Sequence, residues 1–275
     1  GGKAPAGAGK TFVAMHRMID LFCANRDARV LFVAKNQALS HFIVAWVCRR
    51  FRRRRERKSV LRQLYLLFCP FEDGTRQMNL STGVMESASN YNFDLVIVDE
   101  AHHIYINATL REQVHQYISD KTRLFLISDV SQSCDQEVAQ FFPAGMKEVE
   151  LEEVVRSSKR IVTGSMSFQL EGERTLAKCH HEAAGPPLKT FLFDAKQQQQ
   201  QQQQQRQGGA GEVAAYIEHM LQAVQYIIDF FPGLQLQRRL AILVPDESFL
   251  AAVNDGGFAD EMKARHGLDI VDATR

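Results

Sequence analysis

The chain has 275 residues and a mass of 31.2 kDa. At ~150 residues per domain, that is enough for two compact units or one large one. With 45% hydrophobic and 24% charged residues it is neither wholly disordered nor a rod, and Lys+Arg 33 against Asp+Glu 32 leaves a formal charge of +1. Any nucleic-acid affinity must therefore come from a local patch, and the absence of an apolar run of ~18 residues excludes a spanning helix.

The first residues, Gly1 to Pro5, show neither an apolar signal core nor an initiating Met, so the expectation is a segment of a longer chain. Five cysteines (Cys23, Cys48, Cys69, Cys134, Cys179) are scattered and form no CxxC pair. Reduced thiols in an intracellular protein, nuclear or cytoplasmic, are the expectation. Cys179-His180-His181 hints at zinc, but adjacent ligands rarely reach one metal and no second ligand pair is suitably spaced.

The strongest signal opens the chain, where Ala4-Pro5-Ala6-Gly7-Ala8-Gly9-Lys10-Thr11 precedes the helical Phe12-Val13-Ala14-Met15. Small residues (Ala6, Gly7, Ala8, Gly9) let backbone N–H groups turn inward on a triphosphate. Lys10 offers a point charge to the β- and γ-phosphates, the Thr11 hydroxyl a ligand to Mg²⁺, and the following helix its N-terminus to the same anion. The pattern departs from GxxxxGK[ST] only at Ala4.

Val30–Ala34 then reads as a strand buried on both faces. Leu39, Phe42, Ile43, Trp46, Val47 and Phe51 form an apolar helical stripe. The run from Arg49 to Lys58 is expected to continue that helix as a basic C-terminal end. It is a solvated helix end, a phosphate-contacting patch that includes Arg52 and Arg53, or a nuclear-localisation signal. A second buried strand, Leu95–Val98, delivers Asp99-Glu100 at its C-terminal end, where parallel sheets place ligands. Asp99 suits Mg²⁺, and Glu100 suits orientation or deprotonation of an attacking water. His102 and His103 follow, either as a link onward to the next strand or as a packed or solvent-facing pair. Leu124–Ile127 is a third buried strand. Strand and helix in alternation argue an α/β protein with a parallel sheet.

Gln197–Gln205 is an unbroken glutamine tract within a Gln/Gly-rich insertion, 195–211, that has no apolar side chain to bury. Val213–Phe231 reads as a helix ended by Pro232-Gly233, and Leu240–Val244 as another buried strand. Ile270-Val271 near the end looks like a further strand and its exit.

Two later segments carry a family resemblance: Leu124-Phe125-Leu126-Ile127-Ser128-Asp129-Val130-Ser131-Gln132-Ser133 and Val154-Val155-Arg156-Ser157-Ser158-Lys159-Arg160-Ile161-Val162. With the phosphate loop and the Asp-Glu pair, they resemble superfamily 1 helicases of the UvrD-like and Schlafen-type groups, over roughly Gly1 to Gln169. The resemblance implies a RecA-like P-loop NTPase core that binds Mg-ATP between two lobes. In it Gln132 would sense the γ-phosphate, with Ser128 standing where the family has Gly, and Arg156 would reach over from the second lobe. Lys35 and Asn36 fall where the family touches the strand backbone, and Thr82 in Asn79-Leu80-Ser81-Thr82 where it offers a hydroxyl to phosphate.

On this reading residues 1–147 form a first RecA-like domain lacking the strand before the phosphate loop, and 148–275 part of a second. The core is truncated at both ends, and its remaining helicase motifs lie elsewhere in the full-length chain. The implied activity is ATP hydrolysis driving a helicase or translocase along single-stranded DNA or RNA, although this segment alone should not unwind. The alternative is a non-motor, Schlafen-like ATP switch. An AAA+-type or signalling ATPase ranks last, because it leaves the Gln132 and Arg156 segments unexplained together.

Overall fold

The computed structural model describes residues 2–3, 7–90, 92–128, 142–147, 149–151, 153–166, 178–185, 188–193 and 211–271. The chain divides into two compact units, Gly1–Leu188 and Lys189–Arg275.

The first unit is an α/β sheet. After strand β1 (Gly2–Lys3) come helix α1 (Lys10–Ala24), β2 (Val30–Ala34), α2 (Gln37–Arg50), α3 (Arg54–Gln63) and β3 (Leu64–Phe68). A hairpin of β4 (Arg76–Met78) and β5 (Met85–Ser87) leads to β6 (Leu95–Val98), α4 (Ala101–Tyr105), α5 (Ala108–His115) and β7 (Arg123–Ser128). Short strands β8 (Val149–Glu150) and β9 (Glu153–Val154), helix α6 (Lys159–Met166) and β10 (Lys178–Cys179) complete it. The main sheet has the order β5-β4-β3-β2-β6-β7-β1-β8. From β3 to β8 every pairing is parallel, and only β4, antiparallel to both β3 and β5, runs against the rest.

The three expected buried strands are present, and their uniform apolarity has a simple cause. Alternate residues of each strand feed opposite faces of the sheet. Val30, Phe32, Leu95, Ile97 and Ile127 pack with Met18 of α1, Ile43 and Val47 of α2 and Val60 of α3. Leu31, Val33, Val96, Val98 and Leu126 face the other way, against Ala101, Ile104 and Tyr105 of α4 and Val114 of α5. Burying each large side chain contributes ~1.5–3 kcal/mol, so a polar substitution in either set would be costly.

Several expectations are corrected. The strand before the phosphate loop, expected to be missing, is held in part by Gly2–Lys3, which pairs with both β7 and β8. The boundary expected at 147/148 does not divide the chain, because β8 adds to the same sheet as β1 and ties the residues after 147 into the first unit. The basic run does not continue α2. The chain leaves the helix at Phe51 and restarts as α3, with Glu56 accepting the Arg53 N–H at 3.3 Å. Arg57 turns back to donate to the Phe51 carbonyl at 2.7 Å, which fixes the joint.

The second unit contains α7 (Gly211–Phe230), α8 (Glu247–Asp255) and α9 (Phe258–His266) around a core of Ile217, Leu221, Val224, Val253, Phe258 and Met262. The expected helix is present. The expected strand Leu240–Val244 is not: Leu240 and Ile242 pack on the helices, but Leu243 is 93% exposed and, among the described residues, no strand pairs with the segment. Apolar alternation supplies a face, whereas a strand also needs an edge to bond. Ile270-Val271 is likewise unpaired. The glutamine tract lies outside the described residues, and no described helix is long and apolar enough to cross a membrane.

Candidate nucleotide-hydrolysis site

The phosphate loop joins β1 to α1. Gly7 and Gly9 both have positive φ, 82° and 86°, which a residue with a Cβ adopts only under strain. Gly9 is the residue before α1 and provides no side chain to cap it, so the first N–H groups of the helix remain available to an anion. Lys10 opens the helix and Thr11 follows. Ala6 lies outside the described residues.

Five strands on from β1 in sequence but two places away in the sheet, β6 leads into Asp99. Parallel order puts this end beside the loop, and the Thr11 hydroxyl donates to Asp99 Oδ2 at 3.1 Å. The Glu100 N–H donates to Asp99 Oδ1 at 3.0 Å. Asp99 is 4% exposed. Burial, reinforced by the adjacent Glu100 charge, pushes its carboxyl up to about 6, against the opposing pull of Thr11, the Glu100 amide and Lys10. A buried carboxylate with an excess of negative charge beside a threonine hydroxyl is a donor set suited to a hard divalent cation, which would restore the carboxylate to its ionised form. Thr11 and Asp99 thus fit Mg²⁺.

Glu100 adopts φ 49°, turning its side chain away from the path of the strand. Its Oε2 comes within 3.4 Å of His102 Nε2, and His102 Nδ1 lies 3.4 Å from the Ser128 hydroxyl at the end of β7. His102 is 2% exposed and Ser128 is also buried. Of the two readings left open for the histidines, His102 therefore forms a packed link from the Asp-Glu turn to β7. His103 is exposed. Partial burial and nearby Lys35 lower its pKa, opposed by Glu100.

The same end of the sheet receives Arg156. The Val155 N–H donates to the Gly7 carbonyl at 3.1 Å. A Cβ placed on Gly7 would lie 3.2 Å from Val154 Cγ1 and 3.6 Å from Arg156 Nε. Arg156 is thus seated on the phosphate loop from within the same compact unit, not reached over from a second one. The Cys179-His180-His181 stretch, considered above for zinc, serves this seat. His181 Nε2 donates to the Val155 carbonyl at 2.6 Å, the Cys179 thiol to the Ser157 carbonyl at 3.3 Å, and His180 Nδ1 pairs with Glu153 at 3.3 Å. Sequence reasoning had no signal for this role, since these bonds go to backbone or arise from the β9–β10 pairing.

The remaining candidates separate. Lys35 and Asn36 lie at the end of β2, on the phosphate-loop side of the sheet, where Asn36 caps α2 by accepting the Leu39 N–H at 2.9 Å. Thr82 sits at the tip of the β4–β5 hairpin. Because β4 runs against β3, that tip is at the opposite end of the sheet. Arg52 and Arg53, beyond the far end of α2, do not join Lys35 and Asn36 either. Gln132 lies outside the described residues.

The family model described as Type III restriction enzyme, res subunit, matches residues 3–126, a span that contains the phosphate loop, the Asp-Glu turn and all of β2 to β6. Residues 3–126 are thus similar to the helicase-type P-loop NTPase domain of that family. The match covers somewhat less than half the chain and stops short of Arg156. A search of curated proteins finds no match to the chain.

Proposed function

We propose that this P-loop domain hydrolyses Mg-ATP as the motor element of a superfamily 1 type helicase or translocase acting on single-stranded DNA or RNA. The observation that carries the reading is the convergence of Thr11, Asp99 and Glu100 on one loop, with the Arg156 segment bonded to Gly7. Lys10 and the N-terminus of α1 bind the phosphates, and Thr11 and Asp99 hold the cation. Bound Mg²⁺ supplies charge neutralisation for the phosphoryl group. Glu100, beside His102, orients or deprotonates the attacking water. Arg156 stabilises charge on the γ-phosphate, and its loss should cost on the order of 10³-fold in rate. Gln132 is assigned γ-phosphate sensing by the same resemblance, with Lys35 and Asn36 facing the strand backbone.

Steady-state ATP hydrolysis with and without single-stranded DNA or RNA, beside Arg156→Ala, tests this. Stimulation by one polymer, lost in the variant, is the expected result. A rate indifferent to both polymers would replace the motor with an ATP switch.

A further inference from the structure

The exposed basic patch does not belong to the ATP site. Residues 49–62 hold eight arginines and one lysine against one glutamate, in a chain whose total formal charge is only +1. Arg57 is committed to the α2–α3 joint, and Glu56 caps the start of α3. Arg54, Arg55, Lys58 and Arg62 are exposed and have no carboxylate partner among the described residues. Beside them, α3 and the β4–β5 hairpin enclose an open groove of about 320 Å³, lined by Lys58, Arg62, Gln77, Asn79 and Ser81. The one carboxylate on its rim, Glu86, is already bonded to Asn79 Nδ2 at 2.7 Å. Gln63 of α3 bonds the Asn25 and Ala28 carbonyls that precede β2, and α3 runs directly into the start of β3. The groove therefore lies at the end of the sheet opposite the phosphate loop.

We propose that the exposed face of α3 and the hairpin groove form a second nucleic-acid surface, separate from the track at Lys35 and Asn36 and independent of ATP. Clustered like charges repel one another, and Arg54 and Arg55 stand in the first turn of α3, where the helix dipole disfavours cations. A polyanion relieves both conflicts. The α3 helix is about 15 Å long, and duplex DNA presents a charge every ~1.7 Å along its axis, so one backbone engages several of these side chains together. Val60 and Leu61 are buried beneath the helix, so the run is a folded face and not the extended peptide that an import receptor reads.

The test is fluorescence anisotropy of a labelled 20-nucleotide single strand and a matching duplex, without nucleotide, across a salt series. It compares the full chain with the quadruple variant Arg54→Gln, Arg55→Gln, Lys58→Gln, Arg62→Gln. Each lost phosphate contact reduces the log–log salt slope by ~0.7–0.9, so the variant should bind more weakly with a slope shallower by about 3. It should melt no lower than wild type and retain the basal ATPase rate, while Lys10→Ala should retain full oligonucleotide binding. Failure of the motor reading would leave this result standing. An unchanged slope would overturn the proposal, as would equal competition by polyglutamate at matched charge, or capture by an import receptor without oligonucleotide binding.

Discussion

Asp99 is the residue on which the site chemistry turns. Its folded pKa of about 6 lies above the ordinary 3.8, so without metal the folded chain holds that proton more tightly than the unfolded chain. The carboxyl therefore supports folding fully below about pH 4, and that support disappears as pH rises through about 6. Asp99→Asn removes the charge and should stabilise the metal-free chain by on the order of 1–2 kcal/mol at pH 8, with little difference at pH 4. Thermal melts in EDTA at both pH values check this, and an equal effect at both would contradict it. An Asp-Glu pair after a strand is common by itself, so the sequence pointed to Asp99 only through the phosphate loop upstream, and the Thr11–Asp99 bond brings those two segments together. The packed position of His102 was not legible, since it depends on Ser128 arriving from another strand.

At the scale of elements, the phosphate loop and the β9 segment constrain each other. Gly7→Ala adds a Cβ at positive φ and 3.2 Å from Val154, so it should both strain the loop and push the Arg156 segment away. The strain is ~1–2 kcal/mol, and ATP affinity should fall about tenfold in equilibrium binding; unchanged affinity would argue against the packed arrangement. The α2–α3 joint makes a separate prediction. Arg57→Ala loses the 2.7 Å bond to the Phe51 carbonyl and should cost about 1 kcal/mol in urea unfolding, without altering ATP turnover. The sequence hid this joint because an unbroken basic run reads as one helix end. Nothing in local pattern says that Arg57 folds back or that Glu56 begins a new helix. Leu240–Val244 failed for the opposite reason: its own pattern is that of a strand, but strand formation is decided by a partner that the sequence does not name.

The whole molecule follows the order in which the sequence could be read. The parallel sheet was legible because strands buried on both faces leave continuous apolar runs, and the phosphate loop because glycine, lysine and threonine each have a distinct task. Assignment of the residues after 147 to a second unit was not, because β8 and Val155 join the first unit through backbone bonds that carry no side-chain signature. Since 1–188 is compact and contains every described residue of the site, a chain ending at Leu188 should bind ATP within threefold of the full chain. A larger loss would place part of the nucleotide site in 189–275.

The most direct measurement is ATP turnover beside ATP binding for the wild-type chain, Lys10→Ala and Glu100→Gln. The account predicts Mg²⁺-dependent hydrolysis that both substitutions abolish, with Glu100→Gln still binding ATP and Lys10→Ala binding it poorly. Undiminished hydrolysis in either variant would contradict the assignment of this site.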